Sequence, residues 1–372
     1  MKKILIATGI FPPDIGGPAT YSKLLLDKLP ERGFEVVIVN FGEVRTLPKV
    51  VRHITYFFNV LRHARGCDVV YAQDPVSVGL PAMLAAKLLR KEFYLKVVGD
   101  YAWEQGVQRA GVTDDLDTFS REHAKYPFLV RLLKRTERRV ALSADKIVTP
   151  SEYLKTIVMN WGVPAEKITV IYNGFNAPAL ADDKVSLRKK LGIEGYTLLS
   201  VGRLVPWKGF MMLIEMMPSL IQKISSTNLF IAGSGPDQPL LEKKVTELSL
   251  NEHVTFLGKL SQEKLFEYIK ASDVFVLNTS YEGFSHQILE VMALGTPIIT
   301  TPAGGNIEII KDHQNGILAP HNDRALFEKA IKELHTTAGL ADTIAQNAQE
   351  KIKEFSNERM LDATASLLAQ VR

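Results

Sequence analysis

Short apolar, β-branched runs alternate along the chain with longer stretches in which apolar residues return every three or four positions. The runs predict strands over Lys3–Ala7, Glu35–Asn40, Asp68–Ala72, Phe93–Val98, Lys146–Thr149 and Ile168–Ile171. The second half repeats the rhythm, with strands over Tyr196–Val201, Asn228–Ala232, Val254–Leu257, Val274–Leu277, Pro297–Thr300 and Gly316–Leu318. Helical periodicity fills the gaps, for example over Ala19–Arg32, Val78–Leu89, Phe128–Leu142, Lys208–Ile224 and Pro239–Leu248. Strands that are apolar throughout need cover on both faces, and strands alternating with helices pair in parallel. Two successive sets of roughly six predict an α/β chain of two doubly wound, Rossmann-like domains. Asn173-Gly174, Pro178 and the weakly periodic Ala179–Lys184 put the boundary near Ala177–Lys184. The tail from Phe355 to Arg372 reads as a final helix.

Composition supports a folded chain: of 372 residues, 46% are hydrophobic and 23% charged, enough for a large core. The net charge of +4 is too mild to imply a nucleic acid, and none is expected as a partner. The charge is uneven, however. Residues 1–176 carry 25 Lys and Arg against 18 Asp and Glu, while residues 177–372 carry 20 against 23. An anionic partner for the first half is the simplest reading. The lone Cys67 rules out a disulfide framework and a Cys-rich zinc site, and suits a reducing, cytoplasmic compartment. The apolar start breaks at Gly9 and at Pro12-Pro13-Asp14 with no cleavage site after it, so it reads as a buried strand and not a signal peptide. No stretch approaches the ~18 apolar residues of a membrane span. A soluble protein, at most peripheral on the inner face of the membrane, is expected.

Candidate chemistry gathers in the segments that follow the strands. Gly16-Gly17 follows the first strand and opens a helix, a place where backbone can approach a ligand closely; an ordinary turn is the alternative. Arg203 and Lys208, in Gly202-Arg-Leu-Val-Pro-Trp-Lys-Gly209, leave the end of a strand together and suit a diphosphate. Gly233-Ser-Gly235 is weak alone but stands in register with that loop. Glu282 and Glu290 bracket a helix start, where Gly283 and the amides of Phe284 and Ser285 would receive phosphate. Read apart from the set, Glu282 is a helix cap and Glu290 a surface residue. Thr301-Pro-Ala-Gly-Gly-Asn306 is another glycine loop, with Asn306 as a possible polar contact. Asp115-Leu116-Asp117 has the form of a metal-holding triplet, but it sits in a polar stretch away from any strand end. No nicotinamide fingerprint, P-loop or G-x-S-x-G occurs.

Taken together, these residues resemble the retaining glycosyltransferases of family 4, with the GT-B fold. The strongest marks are Glu282 to Glu290 as the E-x7-E and Arg203 to Lys208 as the basic pair. Weaker ones are Gly16-Gly17, Ile171-Tyr-Asn-Gly174, Gly233-Ser-Gly-Pro236, Phe256-Leu-Gly258, Gly304-Gly305 and Phe355–Met360. The resemblance implies two domains facing a central cleft: an acceptor-binding domain over 1–177, a donor-binding domain over 178–355, and a helix over 356–372 crossing back to the first domain. It implies transfer of a sugar from a UDP- or GDP-sugar to a glycan or lipid-linked acceptor, with retention and without metal or other cofactor, in cell-envelope polysaccharide or glycolipid synthesis. Arg203 and Lys208 would neutralise the diphosphate, Glu282 would hold the donor sugar, Glu290 the ribose, and backbone near Leu257 the base. Gly233, Gly283, Phe284 and Ser285 would complete the donor site, together with Gly16 and Gly17, over which the acceptor enters. Where relatives carry a His, this chain has Val98-Gly-Asp-Tyr101, and Asp100 is expected there as a sugar-hydroxyl acceptor, with a cap of the strand-end turn as the alternative. Asn176 stands where relatives have Asp. The basic, apolar segment Pro48–Arg65 and the cluster Arg131–Arg139 suggest contact with an anionic membrane, or else a core helix with a solvated basic face. A nucleotide-sugar epimerase of the same architecture and a non-catalytic nucleotide-sugar-binding subunit are the competing functions.

Overall fold

The computed structural model describes residues 1–372 except Ile15, His123, Ala179 and Arg372. Single positions of the first glycine loop, the polar stretch after Gly111, the boundary segment and the tail therefore lie outside the described residues.

Two compact units form: residues 1–173 with 357–372, and residues 174–356. The first holds strands β1 (Lys2–Thr8), β2 (Phe34–Asn40), β3 (Val69–Ala72), β4 (Glu92–Lys96), β5 (Lys146–Thr149) and β6 (Ile168–Val170). The second holds β7 (Tyr196–Val201), β8 (Thr227–Ala232), β9 (Val254–Gly258), β10 (Val274–Leu277), β11 (Ile298–Thr300) and β12 (Ile317–Leu318). Every pairing between these strands is parallel, in the orders β2-β1-β3-β4-β5-β6 and β12-β11-β10-β7-β8-β9. Helices cover both sheets, which is why the central strands are dominated by apolar residues, as in Ile4–Ala7 of β1 and Val274–Leu277 of β10.

In the second unit one apolar cluster joins Leu198, Leu229, Val274 and Val276 to helix Phe210–Lys223. The other joins Leu199, Phe275 and Leu277 to helix His286–Leu294. Alternate residues of β7 and β10 thus feed opposite faces, as the period of two requires. In the first unit Ile4, Ile6, Tyr21, Leu25 and Phe34 pack with Met360, Leu361, Leu367, Leu368 and Val371. The last helix, Asn357–Leu368, is therefore a core element of the unit that begins the chain. Arg32 fixes it further by reaching Glu358 at 2.5 Å and Asp362 at 2.8 Å.

The division between units falls at Asn173/Gly174, a few residues before the position that turn signals suggest. The cause is Phe175. Its amide donates to the Phe355 carbonyl at 2.9 Å, and its ring meets Phe266 with centroids 5.7 Å apart. A large aromatic side chain, not the Pro178 punctuation, decides where the second unit starts.

Candidate active site

β7 and β10 lie side by side, although β8 and β9 intervene in sequence, and the chain leaves them toward opposite sides of the sheet. Beyond the carboxyl ends of two such strands an open α/β sheet forms its ligand crevice. The segments there are Gly202–Gly209 and Asn278–Ser285. The Ser280 amide donates to the Trp207 carbonyl at 2.8 Å. Asn278 Nδ2 donates to the Gly209 carbonyl at 3.0 Å and to Asn322 Oδ1 at 2.9 Å. Gly209 is left-handed, with φ +57°, and a Cβ there would stand 2.2 Å from Asn278 Nδ2. A side chain at 209 would force the two segments apart.

This frame brings Lys208 to Glu282, and their side chains form an ion pair. The two are 12% and 13% exposed, so the pair is shielded on most sides but reachable. The stem of Lys208 lies back over Gly202, whose Cβ position is 3.8 Å from Lys208 Cδ and Cε. Arg203 is exposed on the same segment, next to Gly202.

The strand-end loops are stitched together through backbone. The Gly202 amide donates to Ala232, that of Leu204 to Ser234, and that of Gly233 to Gly258, at 3.0, 3.1 and 2.8 Å. Gly233 has φ +134°, and a Cβ on it would lie 1.9 Å from the Gly202 carbonyl oxygen. Its glycine is required for loop-to-loop contact. Leu257 is half-buried in the edge strand β9, immediately before the Gly258 carbonyl that accepts from Gly233.

The helix after β10 begins at His286, so Glu282 stands in the preceding loop and only Glu290 is helical. Ser285 is the N-cap, its hydroxyl accepting from the Ile288 amide at 3.4 Å. The first-turn amides are consequently those of His286 and Gln287, later in the chain than the Phe284 and Ser285 amides that the sequence suggests. The Phe284 ring is core, packed against Phe355 with centroids 5.6 Å apart. Gly283 is buried between Glu282, whose carbonyl accepts from the Gly305 amide at 2.9 Å, and Phe284. Among the described residues, no hydrogen bond or ion pair engages Glu290, and removal from water pushes its carboxyl up to about 7. Asn306 is fully buried and turned inward, donating to Thr300 Oγ1 at 3.2 Å and the Thr301 carbonyl at 3.3 Å.

The structure also places three features of the first unit singled out in the sequence. Asp100 is 0% exposed and caps helix Tyr101–Arg109, accepting from the Trp103 amide at 2.7 Å. Burial holds its carboxyl above the usual range. In this structure the Asp100 carboxylate serves as the cap of that helix. Gly16 and Gly17 do begin a helix, but Pro18 carries no N–H and the amides of Ala19 and Thr20 turn onto the Gly16 carbonyl. Little of that helix start is left to bind an anion. Asp115 caps helix Leu116–Arg121, while Asp117 accepts from Tyr153 Oη at 3.1 Å, so the two carboxylates serve different elements. Among the described residues, no group of three or more His, Cys, Asp or Glu is placed to hold a metal ion.

With this geometry in hand, comparison with known proteins is direct. Residues 15–177 match the family model Glycosyltransferase Family 4, and residues 183–351 match Glycosyl transferases group 1. The chain belongs to glycosyltransferase family 4. This family 4 chain is 32% identical over 217 residues to an uncharacterized glycosyltransferase of Methanocaldococcus jannaschii, covering 56% of the chain and 55% of that protein. It is 32% identical over 173 residues to the lipopolysaccharide core biosynthesis glycosyltransferase LpsE of Rhizobium meliloti, covering 46% and 49%. The chain thus spans about half the length of these curated relatives. Its fold is that of Anabaena HepE, solved in complex with UDP-glucose, with TM-score 0.79 and 20% identity over 99% of this chain and 100% of that one. The fold is therefore GT-B, two Rossmann-like domains.

Sequence reasoning on this family 4 chain passed over Asn278 and Asn322, which clamp the Lys208 segment. The one available signal was a polar residue directly after the all-apolar strand Val274–Leu277.

Proposed function

We propose that this chain transfers a sugar from a nucleoside diphosphate sugar to a hydroxyl of a glycan or lipid-linked acceptor, with retention at the anomeric carbon. The observation that carries the reading is the Lys208–Glu282 pair at the switch point between β7 and β10. As the bond to the diphosphate breaks, negative charge grows on the leaving group. Lys208, Arg203 and the start of helix His286–Leu294 are the positive groups assigned to it. Glu282, held by Lys208 until the diphosphate takes over that cation, receives hydroxyls of the donor sugar. Glu290 accepts from the ribose, and the β9 backbone around Leu257 meets the base. The positive groups on the chain are set to do the work that a divalent ion does elsewhere, so no metal is assigned to the reaction.

UDP is the first nucleotide to test, since the HepE neighbour was solved with UDP-glucose. The name of LpsE supports an envelope polysaccharide as the destination. Contact with an anionic membrane is assigned to the first unit. Helix Lys49–Ala64 exposes Val50, Val51, Ile54 and Phe58 beside Lys49, Arg62 and Arg65, and helix Phe128–Ser143 exposes Phe128, Leu129 and Leu132. Among the described residues, no helix is long and apolar enough to cross a membrane.

The test is thermal unfolding with UDP, GDP, ADP and their sugar conjugates, with and without EDTA, followed by product analysis. A ligand at a hundred times its Kd adds about 2.7 kcal/mol. A shift with one nucleotide, unchanged by EDTA, and an α-linked product from an α-linked donor are expected. An epimerised donor with no glycoside, or no stabilisation by any nucleotide, would overturn the reading.

A further inference from the structure

Helix Phe128–Ser143 has three faces. At 100° per residue, Val130, Glu137, Val140 and Ala141 point inward, and Phe128, Leu129 and Leu132 form an exposed apolar stripe. Arg131, Lys134, Arg135 and Arg138 form a third face, about a third of a turn from the apolar stripe. These four line a cavity of about 270 Å³ together with Ala124 and Trp161.

The charges on this face are not balanced within the protein. Lys134 is committed: its ammonium donates to the Phe119 carbonyl, lies 3.7 Å from the centre of the Phe119 ring and faces the buried Asp100 and Glu137. Among the described residues, no ion pair engages Arg131, Arg135 or Arg138, and the buried Nε of Arg131 has no hydrogen-bond partner. Like charges three and four residues apart on a helix disfavour it. The floor is built as well. Trp161 is 4% exposed, and the Arg138 guanidinium lies against left-handed Gly162, whose Cβ position is 3.4 Å from Nη2. The left-handed backbone at 162, with φ +87°, favours glycine and brings it into van der Waals contact with the guanidinium.

We propose that this cavity binds a phosphomonoester group. Three guanidinium forks converge where a compact dianion gains most, since each fork makes paired bonds to phosphate oxygens. The cavity is compact, at about 270 Å³ the small end of ligand pockets, which suits a small anionic group. The site lies on residues of the first unit alone and shares none with the donor site around Lys208 and Glu282.

Glycerol 3-phosphate in solution and vesicles of phosphatidylcholine with phosphatidic acid are the probes, applied to the full chain and to R135Q/R138Q, which alters exposed positions only. Calorimetry and vesicle sedimentation are expected to show binding to at least one probe, weakened about tenfold or more in the variant, because each lost charged hydrogen bond is worth about 1.5–3 kcal/mol. Binding to glycerol 3-phosphate assigns a free ester; binding to vesicles alone assigns a lipid headgroup. Equal binding by parent and variant, no binding to either probe, or equal sedimentation with phosphatidylserine and phosphatidic acid vesicles would overturn the proposal. Stabilisation by UDP is expected to survive in R135Q/R138Q, which keeps this result separate from the donor reading.

Discussion

Lys208 and Glu282 set each other's position, so removing one charge leaves the other largely shielded and unpaired. Glu282→Ala and Lys208→Ala are each expected to lower kcat/KM by about a hundredfold or more while the circular dichroism spectrum stays native. Near-parental turnover in either would remove the pair from the reaction. Glu290 gives a pH test. Its folded carboxyl titrates at about 7 against an ordinary 4.5, so between those values the folded chain holds a proton that the unfolded chain has released. Stability from this group therefore falls as pH rises from 4.5 to 7, and Glu290→Gln is expected to remove that slope in urea titrations. If the ionised form is the one that takes the ribose, UDP-glucose affinity rises by up to about tenfold between pH 6 and pH 8, and the rise is absent in Glu290→Gln. The Lys208–Glu282 pairing was legible because both residues follow strand ends, where charge is costly without a purpose. Asn278 was not, because a buried amide that ties one loop to another leaves no mark beyond a single letter. At Asp100 the sequence leaves two readings, because a capping carboxylate and a ligand-binding one look alike until burial is known.

Among the elements, the strands could be read to within one or two residues, since a parallel strand covered on both faces is apolar along its whole length. Helices Tyr101–Arg109 and Leu116–Arg121 escaped notice, being short, largely polar and started by side-chain caps at Asp100 and Asp115. The loops after the strands depend on contacts that no periodicity encodes. Gly233 shows the scale of that dependence. Gly233→Ala is expected to cost about 2 kcal/mol or more in urea denaturation and to lower nucleotide affinity with it, because the added methyl must displace the Gly202 carbonyl beside Arg203. The sequence of helix Lys49–Ala64 is basic and amphipathic and fits either a membrane face or a solvated one. Its exposed Ile54 and Phe58 now predict that Ile54→Ser/Phe58→Ser reduces sedimentation with anionic vesicles at low salt without altering nucleotide-induced stabilisation. Unchanged sedimentation would assign that face to some other purpose.

At the scale of the whole molecule, two similar sheets differ in how the chain closes them. The second is assembled from one continuous run, while the first borrows its last helix from the far end of the sequence. Leu361, fully enclosed against Leu25 and Ile4, is expected to cost about 2–5 kcal/mol when cut to Ala, read as an earlier unfolding transition of the first unit. The entry and exit of the second unit meet where the Phe175 amide reaches the Phe355 carbonyl. Topologically, the second unit is an insertion whose two ends are already tied. During synthesis this inverts the order of completion. Residues 1–173 leave the ribosome first, yet the apolar surface around Ile4, Tyr21 and Leu25 waits uncovered until residues 357–372 follow, by which time the insertion has its entire sequence available. The segment made first is finished last, and in that interval its open core is the part of the nascent chain most in need of protection from aggregation.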